Sequence, residues 1–431
     1  MAIGVAIVGA GPAGFYSAEA LLKAGYDVHV DIFERLPAPY GLVAFGVAPD
    51  NQITKNVTRV FERTALRPEV RYFGNIEVGR DIDIADLQAC YDAVVLSTGA
   101  PCDRRLGIPG EDKSGVLGSA AFVGWYNGHP DFSDLDPDLD TAAVAVIGLG
   151  NVALDITRVL VKSPVEMAQT DLADHAARAV HASPLTDVHI CGRRGPVEAN
   201  FTNVELREME HLADCRSVVD ADQLPDDVGD LPERERRIKG KNLATLQALA
   251  SSKAAGQNKR AHFHFLASPV EILGGERVSG VRLERTRLVG GRAVGTGTYI
   301  EIECGLVITA IGTVSPVVAG VPFDEQSGTV VNEDGRVGEG IYVAGWVKRG
   351  SSGVISTNRR DATAVADHIA ADFDGGVKPG REAMERLFAE RGLSPVTFSQ
   401  WQKIDQAQIA AANPGAPRRK FVSVADMLAV L

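Results

Sequence analysis

The sequence predicts an α/β protein built on parallel sheets, and one local pattern written twice predicts it. A buried-strand run, a glycine turn and a helix-like segment follow one another from Val5 to Ala24, and the same succession returns from Ala143 to Val161. Between them a Pro/Gly-rich, charged stretch from Pro101 to Asp112 reads as a domain boundary. At 431 residues the chain is too long for one core of ordinary size, and 45% apolar with 23% charged residues is enough to build two.

The elements follow in order. Val5–Val8 is a short buried strand, Ala13–Ala24 a helix and Val28–Phe33 a second strand, which together make a βαβ unit. Ala93–Leu96 is another buried strand. His129–Asp140, acidic and Pro-containing, reads as a surface loop. The second cycle runs through the strand Ala143–Ile147, a helix from Asn151 to about Val161, and the strand Asp187–Cys191. Residues 220–260 are polar, with loop and helix character. Two strands are expected near His262–Ala267 and Thr298–Thr309, and a last one over Gly340–Ala344, before a helix near Asp361–Phe373 and a mostly helical, polar tail from Pro379. No repeat of 20–50 residues is present beyond the duplicated unit.

Composition excludes several classes. A net charge of −12 speaks against a nucleic-acid binder, which needs clustered Lys and Arg. The five cysteines, Cys90, Cys102, Cys191, Cys215 and Cys304, include no C-x-x-C pair; they point to reduced thiols and away from a metal knuckle, an iron–sulfur cluster or a redox disulfide. No metal site is expected. No secretory leader is visible, and the uncharged stretch Cys304–Phe323 carries Gly, Thr, Ser and Pro316, so it reads as strand, turn and loop rather than a membrane span. A cytoplasmic location is the expectation.

Two motifs carry chemistry. Gly9-Ala-Gly11-Pro12-Ala13-Gly14 lies between strand and helix, and Glu34 ends the next strand. Glycines let the backbone approach a pyrophosphate, the helix N-terminus offers free N–H groups to it, and a carboxylate hydrogen-bonds ribose hydroxyls. Gly148-Leu149-Gly150-Asn151-Val152-Ala153 repeats the arrangement, but its following strand ends in Gly192-Arg193-Arg194. Two guanidinium groups there suit a 2′-phosphate, although a solvated charge pair has the same appearance. An acid at one ribose and arginines at the other imply unlike ligands: FAD at the first turn, NADP(H) at the second. Gly345-Trp346 with Gly353-Val354-Ile355 is a weaker signal, because a Trp after a strand is as often core packing as a ring that stacks on a cofactor. Glu205 has no local pattern to single it out. Arg234, Arg236, Arg237, Lys239, Lys241, Lys253, Lys259 and Arg260 form a basic stretch able to steer an acidic partner, or an ordinary solvated face.

Taken together these pieces resemble the adrenodoxin-reductase type of ferredoxin–NADP reductase. The resemblance spans nearly the whole chain: Gly41-Leu42-Val43, Gly46–Asp50, Phe73–Ile76, Phe122–Asn127, Gly150–Asp155, Gly192–Pro196, Phe201-Thr202, Glu205–Arg207, Gly345–Gly350, Gly353–Ile355, and Trp401 with Ile404-Asp405. It implies two Rossmann-like three-layer domains, with an NADP domain (104–319) inserted into a discontinuous FAD domain (1–103 and 320–431). It implies FAD contacts at Gly9, Ala13, Gly14, Glu34, Leu42, Ile76, Trp346 and Gly353–Ile355, and NADP contacts at Leu149–Val152, Arg193, Arg194, Glu205 and Gly353. It also implies a transient, electrostatically docked, ferredoxin-like iron–sulfur partner; a monomer or weak homodimer is expected. The chain departs from the family pattern at Asn51 (usually His), Ala44 (usually Arg), and Glu198 and Asn200 (usually Gln and a small apolar residue). Asn51 falls where the family His is associated with the flavin–nicotinamide pocket, and Asn51 and Glu205 are the residues expected beside the reacting atoms.

The expected reaction passes a hydride from NADPH to FAD and single electrons from FAD to the partner, with the protein supplying position and electrostatics. A disulfide reductase would need paired cysteines. A flavin monooxygenase would need a substrate pocket of which the sequence gives no sign. A glutamate-synthase-like electron-input subunit usually carries iron–sulfur cysteine runs, absent here. The alternatives kept are an FAD/NADPH enzyme with a different acceptor, either a flavodoxin-like partner or a small molecule with oxygen, and, because of Asn51, a slow nucleotide-sensing flavoprotein.

Overall fold

In the first sheet the strands run in the order Arg336–Gly338, Ile341–Val343, Ala93–Leu96, Ile3–Val8, Val28–Glu34, Val70–Gly74, all parallel except the first pair. The central strand Ile3–Val8 is buried on both faces, which explains its unbroken apolar run. One face is covered by the helices Pro12–Lys23, Thr58–Ala65 and Asn358–Asp372, the other by Ile84–Cys90 and Arg381–Glu390. The computed structural model describes residues 2–252 and 256–431; Lys253 of the basic stretch lies outside the described residues.

The second sheet is parallel throughout, in the order Val116–Gly118, Leu306–Thr309, Ala143–Ile147, Asp187–Cys191, Lys259–His264, Cys215–Val219. Helices including Asn151–Val161 and Glu233–Ser251 pack on one face. The other face carries a three-stranded antiparallel sheet, Ala267–Leu273, Gly280–Val289 and Arg292–Glu303, which meets it through Ala145, Ile147, Cys191, Val281, Leu283 and Ile302. The chain passes between the two sheets twice, and the two passages pair with each other: Cys102–Asp103 lies antiparallel to Thr313–Val314.

Several sequence expectations need correction. The strand expected at His262–Ala267 is two strands, Lys259–His264 and Ala267–Leu273, because Leu266 takes a left-handed conformation (φ 51°) that breaks the pleat. The strand expected at Thr298–Thr309 divides at Gly305, whose α-carbon packs so closely on Thr141 that a side chain would collide with it; Arg292–Glu303 belongs to the antiparallel sheet and Leu306–Thr309 to the parallel one. The His129–Asp140 loop is anchored, since Leu139 is buried, the Phe132 ring lies against Gly124, and Asp131 pairs with Arg35. The tail is not simply polar: Met384, Phe388, Trp401, Ile404 and Met427 are all core residues.

A buried carboxylate ties the outer elements to the first sheet. Asp31, fully buried on the second strand, accepts from Arg71 Nε and Nη2 (3.0 and 2.7 Å), from the Tyr91 hydroxyl (2.6 Å) and from Arg381 Nε (3.1 Å). It thus joins the edge strand, the end of the helix Ile84–Cys90 and the start of the helix Arg381–Glu390. Asp31→Ala removes the shared buried partner of two guanidinium groups, leaving Arg71 with Glu385 and Arg381 with backbone carbonyls, and should cost about 3 kcal/mol. The check is the thermal midpoint of the holoprotein; an unchanged midpoint removes Asp31 from this role.

Candidate active site

In each sheet one parallel strand, Ile3–Val8 in the first and Ala143–Ile147 in the second, ends in a glycine turn whose geometry only glycine allows. Gly9 has φ 104°, and a Cβ there would stand 2.6 Å from the Ser97 carbonyl; a methyl on Gly14 would collide with the Gly9 carbonyl. Gly148 repeats this against the Ala310 carbonyl, at φ 152°. The middle glycine differs in both turns. Gly11 and Gly150 are the N-caps of the helices Pro12–Lys23 and Asn151–Val161, neither has a side-chain cap, neither helix has an acid in its first turn, and a Cβ on either would meet nothing within 4 Å. Two helix N-termini therefore present uncapped N–H groups at a surface that a phosphate can approach closely.

The rest of the first turn gathers around it. Glu34 accepts from Ala10 N (2.9 Å) and Leu36 N (3.2 Å); burial pushes its carboxyl up from the usual value, against those two bonds. Both oxygens keep a further lone pair for a hydroxyl. Gly41 lies over Gly11, Tyr40 N donates to the Ala10 carbonyl (2.8 Å), and Leu42 beside them is exposed. Gly345 packs on Ala13, and Trp346, half-buried, donates from its indole N–H to the Ser352 carbonyl (3.1 Å), which joins it to the turn at Gly353 (φ 82°) and to Val354 and Ile355. Pro12 and Ile76 are buried, so Ile76 offers a ligand its backbone only.

At the second turn, Gly192 packs under Leu149, Asn200 N donates to the Leu149 carbonyl (2.8 Å), and Thr202 N donates to Asn151 Oδ1 (2.7 Å). Val152 is exposed and Ala153 fully buried against the sheet. The backbone of Gly192–Arg194 is pinned by Ala267 N, Thr286 Oγ1 and Leu266 N. The Arg193 and Arg194 side chains make no ion pair among the described residues, so their charge is available to an anion. The basic stretch does not form one face. Arg234, Arg236, Arg237 and Lys241 are exposed on the helix Glu233–Ser251, but Lys239 donates to the Ala199 carbonyl, Lys259 to the Leu160 carbonyl, and Arg260 pairs with Asp187 at the far end of the sheet.

Asn51 and Glu205, 154 positions apart, meet where the two units face each other: Asn51 Nδ2 donates to Glu205 Oε1 at 3.0 Å. The Asn51 amide is fixed at both ends, since its Oδ1 accepts from Thr54 N (3.2 Å) as the N-cap of a short helix. The neighbouring residues were not singled out by sequence. Arg158, 1% exposed, donates to Asp50 (2.9 Å) and Asp155 (2.6 Å), and Lys162 also reaches Asp50 (2.7 Å). Burial, together with the Glu205 and Asp50 charges, pushes Asp155 up to about 7 against the pull of Arg158. Below this cluster Lys55 and Lys420 share Asp171, and Lys420 also donates to the carbonyls of Ala44 and Asn127 (both 3.0 Å), so the C-terminal tail straps both units. Burial pushes Lys420 down to about 7, while these two cations hold Asp171 down at about 2 despite its burial. The available signal was positional: Asp155, Arg158 and Lys162 recur at helical spacing in an otherwise apolar segment.

Two mainly parallel sheets, each with a bare glycine-turn N-terminus, define a two-dinucleotide oxidoreductase, and a family described as pyridine nucleotide-disulphide oxidoreductase matches residues 3–187. The chain belongs, more narrowly, to the family of the NADPH-dependent adrenodoxin and ferredoxin reductases. It is 40% identical over 450 residues to the mitochondrial NADPH:adrenodoxin oxidoreductase of Homo sapiens, covering 99% of this chain and 91% of that protein. It is 40% identical over 449 residues to the NADPH-ferredoxin reductase FprA of Mycobacterium tuberculosis, covering 99% and 98%. The structure of that FprA in complex with NADPH superimposes with a TM-score of 0.94 at 40% identity, over 100% of this chain and 99% of the other.

The raised Asp155 carboxyl has a measurable consequence. The folded protein holds a proton on it between the ordinary value of 3.8 and about 7, where the unfolded chain does not, so its contribution to stability falls as pH rises through that window. Asp155→Asn cannot titrate. The thermal midpoint of wild type relative to this variant should decline across the window; parallel pH profiles would place the Asp155 proton elsewhere.

Proposed function

We propose that the chain is an NADPH-dependent flavoprotein reductase that takes hydride from NADPH and delivers electrons singly to a ferredoxin-type iron–sulfur protein. The observation that carries this reading is the pair of unlike glycine turns, one beside the carboxylate of Glu34 and the other beside the unpaired Arg193 and Arg194, with Asn51 and Glu205 joined between them. The residues at the first turn fit FAD: Gly9, Gly11, Pro12, Ala13 and Gly14 present the helix N-terminus to the pyrophosphate, and Glu34 presents its remaining lone pairs to the ribose. Leu42, Ile76, Gly345, Trp346 and Gly353–Ile355 wall the flavin end. Gly148–Ala153 hold the second pyrophosphate, and Arg193 and Arg194 the 2′-phosphate. When bound, FAD supplies the conversion between two-electron and one-electron transfer. Glu205 accepts from the nicotinamide carboxamide, and Asn51, as an uncharged donor, steadies Glu205; no side chain is needed as acid or base for the hydride itself.

The proposed division follows the two sheets: 1–103 with 320–431 for FAD, and 104–319 for NADP. The paired linkers Cys102–Asp103 and Thr313–Val314 and the separate cores support it. The exposed Arg234, Arg236, Arg237 and Lys241 support docking of an acidic partner. Among the described residues no helix is long and apolar enough to cross a membrane. Unpaired thiols, four of the five buried, support a reducing compartment, which we take to be the cytoplasm.

The test is anaerobic mixing with NADPH or NADH while flavin absorbance is followed. Fast bleaching by NADPH and much slower bleaching by NADH is the expected result; slow bleaching by both would turn the reading toward a sensing role. Arg193→Ala should weaken NADPH binding by about ten- to a hundredfold, as the loss of a charge-assisted contact of about 1.5–3 kcal/mol implies, and leave NADH little changed. An unaltered NADPH/NADH ratio would remove Arg193 from the 2′-phosphate site.

A further inference from the structure

Both oxygens of Glu205 are held by groups that depend on the opposite unit. Oε1 accepts from Asn51, and Oε2 lies 3.0 Å from Arg158 Nη1. Arg158 is oriented in turn by Asp50, the residue next to Asn51, through Nε (2.9 Å) and Nη2 (3.3 Å), with Asp155 taking Nη2 at 2.6 Å. The Nη1 contact is an ion pair outside hydrogen-bond geometry, and Nη1 has no other partner among the described residues. The Asp50-Asn51 dipeptide therefore grips the Glu205 carboxylate twice, once directly and once through a guanidinium. Among the described residues the cluster is also faced by Lys162, which pairs with Asp50, and by the buried Tyr126 hydroxyl, which has no hydrogen-bond partner there. A planar five-donor fork spans three carboxylates at once, and an ammonium does not.

We propose that Arg158 is a positioning residue for the NADPH reaction: it keeps the Glu205 carboxylate in register with the Asn51 loop and thereby sets where the nicotinamide ring lies against the flavin. This rests on the reading given under Proposed function. A glutamate at the start of the short helix Asn203–Glu208 has several free torsions, and holding it from two sides removes them before the nucleotide arrives. A merely structural Arg158 predicts lower stability with unchanged chemistry; a positioning Arg158 predicts slowed hydride transfer whose size depends on Glu205 being present.

The experiment uses FAD-loaded wild type, Arg158→Gln, Arg158→Lys, Glu205→Gln and the Arg158→Gln/Glu205→Gln double variant. Limiting rates of anaerobic flavin bleaching by NADPH are read beside the NADP+ Kd from flavin difference spectra. Arg158→Gln should slow bleaching by at least about tenfold, since a small misplacement of reacting groups costs up to a hundredfold, with a smaller change in Kd. Arg158→Lys keeps the charge and should also be slowed, which decides the matter if the glutamine variant fails to fold. In the Glu205→Gln background Arg158→Gln should add less than about twofold, because the two residues act through one contact. Bleaching by the lysine variant within twofold of wild type, or effects of the two substitutions that multiply independently, would overturn the inference. Wild type that NADPH does not bleach would overturn the underlying reading first, and the inference with it.

Discussion

The structure depends on a charge that has nowhere else to go. Arg158 sits 1% exposed on a helix of the second unit, and taking a guanidinium out of water costs several kcal/mol unless partners meet it. Asp155 comes from its own helix and Glu205 from its own unit, but Asp50 comes from the other. Sliding the two units apart by a few ångströms would strip Asp50 of both Arg158 and Lys162 and leave Arg158 with Asp155 and Glu205 alone. The relative placement of the sheets is thus held by ion pairs between the units as well as by shape, and the surfaces on which the two glycine turns act are held with it.

What the sequence made legible is what local chemistry encodes. A glycine turn is a backbone requirement, so Gly9, Gly14 and Gly148 announce it with no tertiary context, and the helix Asn151–Val161 begins and ends where the pattern placed it. The strand Gly280–Val289 was readable too, with Val281 and Leu283 inward and Arg282 and Glu284 between them, but its charges masked the alternation of a half-exposed antiparallel strand. The meeting of Asn51 with Glu205 was not legible from local pattern. No spacing rule connects residues on different units, and only the resemblance of surrounding motifs brought Glu205 forward. The basic stretch failed for a related reason: continuity along the chain is not continuity in space, and the sheet carries Arg260 to the end of its strand opposite the turns.

The five thiols bear on how the fold differs from the disulphide oxidoreductases with which it shares a pattern over residues 3–187. All five are free, and burial pushes every one of them up from the ordinary thiol value, Cys102 and Cys90 included. A nucleophilic dithiol needs the opposite environment, exposed and electropositive. The chain keeps the two-turn scaffold without a covalent relay, so whatever passes between the turns must leave without a sulfur intermediate.

The paired linkers have a consequence for the birth of the protein. The strand Ala93–Leu96 has Ile3–Val8 on one side, but its other neighbour, Ile341–Val343, lies more than two hundred residues later in the chain. During synthesis the first unit must wait, with an apolar edge unpaired, while the whole second unit is made. The ladder between Cys102–Asp103 and Thr313–Val314 closes the second unit on itself and returns the chain to within one short segment of where it left. The folding of the inserted unit therefore brings the emerging polypeptide back towards the waiting edge, and the first sheet is completed only by a strand made after that unit.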